Sequence, residues 1–246
     1  MYLILFLIAF FLNDLAAQDN PVVTEENTGA ENPEDKGKED LKRAFTNSRQ
    51  LLNDGKSEEA VLILKELANK DVIVSAEAKT LLFRVEAGMG KSGMLTEANK
   101  EEDAELRSKL LLAVGEGYFD YAGNDPSRRS LKEEGNKALD LLLRQNLTEE
   151  LRTKASLLKC SHLMQLEKYD LVMRILLEVL KPDLISQPYD QGWFYLGQVL
   201  EKSTKYRDIF QARQAYQKIL IIGDSSYRTT ALERIEFLDS HHFVNY

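Results

Sequence analysis

The chain has 246 residues, of which 43% are hydrophobic and 29% charged, with only 5 prolines and 13 glycines and a formal net charge of −8. That apolar content supports a sizeable core and excludes a wholly disordered chain, and so few breakers favour helices. The acidic balance and the single cysteine argue against a basic nucleic-acid-binding surface and exclude an internal disulfide framework.

Met1 to Leu12 is an uninterrupted apolar run, followed by Asn13-Asp14-Leu15-Ala16-Ala17. Its length fits the apolar region of a secretory signal and falls short of the roughly 20 residues that span a bilayer. It predicts a signal peptide over residues 1–17, cleaved after Ala17. The alternative, a buried N-terminal helix, lacks the polar pattern of an amphipathic face. No cysteine follows the run to carry a lipid anchor. Residues 18–40 hold eight acids and two bases with almost no apolar side chains, which predicts an acidic disordered linker. This segment's net −6, with Asp14, accounts for most of the total and leaves about −1 for residues 41–246. The acidity therefore solvates a tether and does not call for a basic partner.

From residue 41 the pattern turns helical. In 41–70, Ala44, Ser48, Leu51 and Leu52 share one side of a first helix and Asn53-Asp-Gly55 reads as a turn. Ser57 is the expected cap of a second helix carrying Ala60, Leu64 and Leu67, with Glu58 and Glu59 in its first turn. Ser75 to Ala87 predicts a helix with Leu81, Leu82 and Val85 inward, and the polar stretch Thr96 to Asp103 predicts a short partner. A long helix follows from about Asp103 to Ala122, with Leu111, Val114, Gly115 and Tyr118 on one face, ended by Gly123 to Pro126. Ser130 with Glu133 reads as a capping box for a helix carrying Ala138 and Leu142. Thr148 opens the next helix, which runs through Cys160 and Leu163 to a turn at Glu167-Lys-Tyr169. Its partner carries Val172, Leu176 and Val179 and closes at Pro182. A last helix is expected from Ser226 to Leu238, with Ala231, Ile235 and Leu238 inward and a frayed tail over 241–246.

One stretch is more informative than the rest. Trp193, Leu196, Gly197 and Leu200 lie on one predicted helix, and Ala212, Tyr216 and Ile219 on the next. This arrangement resembles a tetratricopeptide (TPR) repeat. In that family a large aromatic, Leu-Gly and an apolar residue mark helix A, and a small residue, an aromatic and an apolar residue mark helix B. The small positions of helix B, Ala60, Ala138, Val172 and Ala212, are separated by 78, 34 and 40 residues, which leaves room for one further pair in the first gap. The resemblance implies an all-α fold, a right-handed α-α superhelix of about five helix pairs plus a terminal helix, over residues 41–240. The break between Leu200 and Ala212 is about three residues longer than the family's. The ending Ala231-Leu-Glu-Arg-Ile235 resembles repeats of exported bacterial TPR proteins that serve outer-membrane or Tol-Pal assemblies.

Several pairings invite a chemical reading. Gly88-Met-Gly90-Lys91-Ser92 resembles the end of a phosphate-binding loop, but Val85 stands where the motif needs glycine and a helix leads in where it needs a strand. Cys160 and His162 suggest a nucleophile and its base. Two residues apart on a helix, they point about 200° apart around the axis and cannot meet. Three histidines and one cysteine provide no metal set beyond His241-His242. Acidic pairs such as Glu101-Glu102 suit solvated helix surfaces. Asn146-Leu-Thr148 is a glycosylation sequon that matters only in a source that glycosylates such sites.

The expected function is therefore a non-enzymatic interaction scaffold, exported to the periplasm or secreted, with a protein partner, no cofactor, no metal, no nucleic acid and no small-molecule substrate. The family register places Phe45, Arg49, Leu112, Glu116, Phe119, Ser161, Met164, Gln165, Phe194, Gln198 and Glu201 on the concave face that receives a peptide or helix of the partner. Homo-oligomerisation through the repeat ends is a second expectation. An enzyme using residues of the irregular 88–103 region is the competing class, disfavoured because no motif converges two reactive groups.

Overall fold

The computed structural model describes residues 33–70, 74–123 and 125–242, and among them all regular structure is helical. Eleven α-helices follow in order: α1 (Pro33–Asn53), α2 (Ser57–Ala68), α3 (Ser75–Gly88), α4 (Met94–Asn99), α5 (Ala104–Ala122), α6 (Arg129–Leu143), α7 (Glu149–Gln165), α8 (Tyr169–Val179), α9 (Tyr189–Lys202), α10 (Ile209–Ile221) and α11 (Arg228–His242). A 3₁₀ turn, Pro126–Arg128, precedes α6. The expected signal peptide over 1–17 lies outside the described residues.

The chain divides into two compact units after Leu82. In the first, α1 packs on α2, which buries Ala60, Val61, Leu64 and Leu67. Helix α1 begins at Pro33, eight residues before the expected end of the linker, so residues 33–40 are helical. A helix extends cheaply once nucleated, because each added residue fixes one hydrogen bond without a new loop to close. The i,i+4 pair Glu39–Arg43 bridges the extension to the rest of α1. Ser57 is the first residue of α2 rather than its cap, and Lys56 at the cap position makes no side-chain bond.

The second unit holds α4 to α11 and the C-terminal half of α3. Successive helices pack on one another, as short connections require of antiparallel neighbours. Odd-numbered helices also touch each other, α5 with α7 and α7 with α9. Buried side chains run from Phe83 through Leu111, Tyr118, Leu139 and Ala155, and on through Leu157, Cys160, Trp193, Tyr216, Ile219 and Leu238. The short partner expected after Ala87 is α4, six residues anchored by Met94 and Ala98.

The turns show why the hairpins form. The Lys56 amide donates to Leu51 O at 2.8 Å and the Gly55 amide to Leu52 O at 3.1 Å, with Gly55 at φ 76. The same pair of bonds recurs at Lys91 to Glu86 O with Gly90 at φ 78, and at Lys168 to Leu163 O with Glu167 at φ 57. Each is a Schellman turn, which satisfies orphan carbonyls at a helix end and reverses the chain. The phosphate-loop-like stretch at Gly88–Ser92 is therefore a helix-to-helix turn. Helices α5, α7 and α10 open on side-chain caps, where Asp103, Thr148 and Asp208 accept from Leu106, Leu151 and Gln211. The capping box expected at Ser130 is absent, because the 3₁₀ turn delivers the chain into α6 at Arg129 and leaves Ser130 inside the helix. The longer break before Ala212 is the Ser203–Asp208 turn, closed by the Asp208 amide on Leu200 O. Helix α11 runs through His242, where His241 stacks on Phe237, so fraying does not begin at 241; residues 243–246 lie outside the described part.

Gly117 of α5 lies against α3. A Cβ there would collide with the Arg84 carbonyl and stand 2.7 Å from Ala87 Cβ and 2.8 Å from Gly88 N. Two of these atoms are backbone, so little can yield. Gly37, exposed in α1, has nothing within 4 Å of such an atom. Gly117→Ala is expected to lower stability by about 1–3 kcal/mol, and Gly37→Ala to raise it by up to about 1 kcal/mol. Urea unfolding of both variants checks the contrast, and a harmless Gly117→Ala would refute the close packing of α3 on α5.

Candidate functional site

The odd-numbered helices of the second unit are joined by polar bridges, one after another. Glu116 of α5, its side chain 14% exposed, pairs with Arg84 of α3 at 3.5 Å and Lys154 of α7 at 3.0 Å. Arg84 also reaches Asp120 at 3.5 Å. The next bridge joins α7 to α9, where Ser161 Oγ and Tyr195 Oη are 2.6 Å apart and Gln191 Nε2 donates to Tyr195 Oη at 3.1 Å. Between α9 and α11, Glu201 accepts from Tyr216 Oη at 3.0 Å and pairs with Arg234. Residues 112, 116 and 119 of α5, and 154, 158, 161 and 165 of α7, each fall on one stripe of their helix by the three-four spacing.

Several expected partner-binding residues lie on this stripe, and packing has claimed some of them. Phe119 is half-buried, its ring 5.3 Å from that of His162. Met164, Gln165 and Gln198 are half-buried, and Met164 packs against the core beside Leu163. Glu116 and Glu201 are engaged in the bridges above. Leu112 and Phe194 depart from the expectation. They are 9% and 8% exposed, Phe194 lying among Tyr195, Tyr216 and Tyr227 with ring centroids 4.8 to 6.3 Å away. These two are core residues, because adjacent helices close over positions that an isolated helix would leave open. Ser161 is buried too, spent on the Tyr195 bond. Phe45 and Arg49 are half-buried on α1 in the first unit. The register did not single out Arg84, Lys154, Gln191, Tyr195 and Arg234, which complete the bridges. Their one legible signal is that they sit where an apolar stripe gives way to polar residues.

Cys160 and His162 do not form a reactive pair. The Cys160 thiol is buried and pushed up to about 12 by that burial, far from the reactive thiolate. His162 turns to α5 and α6. Its Nε2 lies 2.9 Å from Gly115 O, its ring occupies the space that a side chain at Gly135 would need, and its Nδ1 is buried without a partner. The neutral ring donates through Nε2. Burial pushes its pKa down to about 4, against the pull of the Gly115 and Lys132 carbonyls. Among the described residues no three His, Cys, Asp or Glu side chains group closely enough to hold a metal ion. No described helix is long and apolar enough to cross a membrane. The face carries these internally bonded polar rungs and half-buried apolar edges. Comparison of the chain with protein-family models, curated proteins and solved structures found no match.

His162 makes the fold sensitive to acid. The unfolded ring takes a proton near pH 6.5 and the folded ring only near 4, so the unfolded chain binds more protons in that window and stability falls as the pH drops through it. The loss reaches on the order of 3 kcal/mol by pH 4. In His162→Gln this part of the pH dependence is expected to vanish. Urea unfolding at pH 7.5 and 4.5 measures it, and an unchanged pH difference in the variant would assign the acid sensitivity to other groups.

Proposed function

We propose that this protein is a non-enzymatic scaffold of the cell envelope: a TPR-like, right-handed superhelical array that binds a peptide or helix of a protein partner along its odd-numbered helices. The observation that carries this reading is the run of bridges from α3 to α5 to α7 to α9 to α11. Contact of α5 with α7 and of α7 with α9, against a smaller one of α4 with α6 and none comparable between α6 and α8 or between α8 and α10, suits a curved array whose odd helices line the inner side. The recurrence of one turn geometry at Gly55, Gly90 and Glu167 supports repetition of a single unit. Stacked repeats of this kind bury their faces only against neighbours and present an extended surface. The binding surface of the second unit comprises Phe119, Met164, Gln165 and Gln198, rimmed by Glu116 and Glu201; Phe45 and Arg49 are candidates within the first unit by itself. Export rests on the apolar run of residues 1–12 and the signal that it resembles.

A second reading is self-assembly through the end of the array. It is favoured by Leu232 and Phe237, large apolar side chains exposed on the terminal helix α11.

The test is a cross-linked pull-down from the source's envelope fraction, comparing the parent with a Met164→Glu, Gln198→Glu variant and with Leu177→Glu. Leu177 is 71% exposed on the even-numbered α8 and serves as the control. A partner held by the parent and by Leu177→Glu, and lost by the double variant with its helicity intact, is the expected result. Equal retention in all three would overturn the face assignment. No partner, together with a solution mass of two or more chains, would favour self-assembly.

A further inference from the structure

Among the described residues, four buried side-chain polar atoms have no hydrogen-bond partner: Glu134 Oε2 and Asn136 Oδ1 on α6, and His162 Nδ1 and Gln165 Oε1 on α7. All four belong to one pair of helices, both packed on α5. A buried polar atom left unmet favours any opening that lets water reach it. The α6–α7 pair is therefore the part of the second unit most inclined to loosen locally while the rest stays folded.

His162 joins this pair to α5. Its Nε2 lies 2.9 Å from Gly115 O, its Cε1 would stand 2.6 Å from a Cβ at Gly135, and its ring meets that of Phe119 edge-on at 5.3 Å. Gly115 and Gly135 are buried, whereas Phe119 is half-buried, so the ring's way to water leads past Phe119.

The neutral ring suits this position and a charged one does not. A second N–H, at Nδ1, would have no bonded acceptor, and the new charge would be held away from water. The Lys132 charge on α6 adds repulsion, and it is the charge that the ring feels. The carboxylates of the helices packed around α7 are engaged elsewhere. Glu116 of α5 is held by Arg84 and Lys154, and Asp120 by Arg84. On α6, Glu134 faces the Tyr118 hydroxyl and Asp140 pairs with Lys159. Asp170 of α8 pairs with Lys205, and Asp190 of α9 accepts from Ser225. The Cys160 thiol of α7 itself stays neutral.

We propose that His162 and Phe119 form an acid-operated latch: a proton on the His162 ring drives it from the Gly135 notch past Phe119, which reshapes the candidate binding face in acid. This is a local event, separate from the fall in global stability. Its relevance to a partner rests on the partner-binding reading, but the latch is read without one. A failure here would leave the pull-down result along the odd-numbered helices untouched.

The experiment is nuclear magnetic resonance relaxation dispersion on the full chain between pH 7.5 and 4.5, comparing the amides of Gly135 and Phe119 with that of Gly197, where Tyr216 fills an equivalent notch without a histidine. A ring that takes a proton near pH 6.5 when released and near 4 when in place raises the ratio of open to closed latch by about 70-fold over this range. The open population is expected to rise accordingly at Gly135 and Phe119 and to stay level at Gly197. His162→Gln keeps an amide donor for Gly115 O without the titration, and its rise is expected to be less than twofold. No rise by pH 4.5, an equal rise at Gly197, or an undiminished rise in His162→Gln would each overturn the latch. Should His162→Gln fail to fold, the contrast of Gly135 with Gly197 in the parent still decides.

Discussion

The second unit depends on how closely its helices approach one another, and residues without bulk set that distance. Gly117 lets the α3 backbone lie against α5, and Gly115 accepts Leu139 of α6. Gly135 receives the His162 ring, and Gly197 the Tyr216 ring, 2.5 Å from where a Cβ would stand. Each glycine inside a helix forfeits about 1 kcal/mol of intrinsic helix preference relative to alanine. The chain accepts that loss because a large side chain of the next helix fills the notches at Gly115, Gly135 and Gly197, and the dispersion attraction of a whole ring or leucine exceeds it. Tyr118, Tyr216, Leu139 and Leu157 are accordingly among the largest fully buried side chains.

Close approach on one side brings polar groups of alternate helices within reach, and the bridges follow from it. The Arg84–Glu116–Lys154 and Glu201–Arg234 pairs are partly exposed, so they add little net stability in water. Their effect is on register. An apolar interface tolerates a slide of one helix along another, whereas a carboxylate held between two cations on different helices does not. Ser161, Tyr195 and Gln191 play the same part with neutral groups, and there the cost of an unmet buried hydroxyl enforces the alignment. Apolar packing thus supplies most of the cohesion, and the bridges determine which surface the odd-numbered helices present.

The fold was legible wherever a local rule acts alone. The apolar spacing of Ala212, Tyr216 and Ile219, the helix starts at Asp103 and Thr148, and the turn at Gly55 depend on residues within a few positions of each other, and each stands as the sequence predicts. Where two signals compete, local reading fails. Ser130 and Ser57 have the chemistry of caps, yet the preceding backbone enters both helices one or two residues earlier. The linker composition held no hint of α1 beginning at Pro33, because an exposed polar helix and a polar coil differ little in pattern. The candidate face was half legible. Which residues share a stripe follows from helix periodicity, but whether the neighbouring helix covers them depends on tertiary approach. Leu112 and Phe194 were lost to the core on that account, while Phe119, two turns along α5 from Leu112, stayed half-open.

The same distinction bears on Lys132. A charged residue between Leu131 and Glu133 looks like an ordinary solvated position in the sequence, yet Lys132 is among the buried residues of α6. Helical spacing puts position 132 on the face that also holds Gly135, Leu139 and Leu142, all of them buried. Lysine is the wrong residue for such a face on packing grounds, and the wrong charge for a helix N-terminus on electrostatic grounds. The stem of such a residue can pack along an apolar face while its ammonium reaches water, so the burial of Lys132 follows from the stripe that it occupies rather than from its own chemistry.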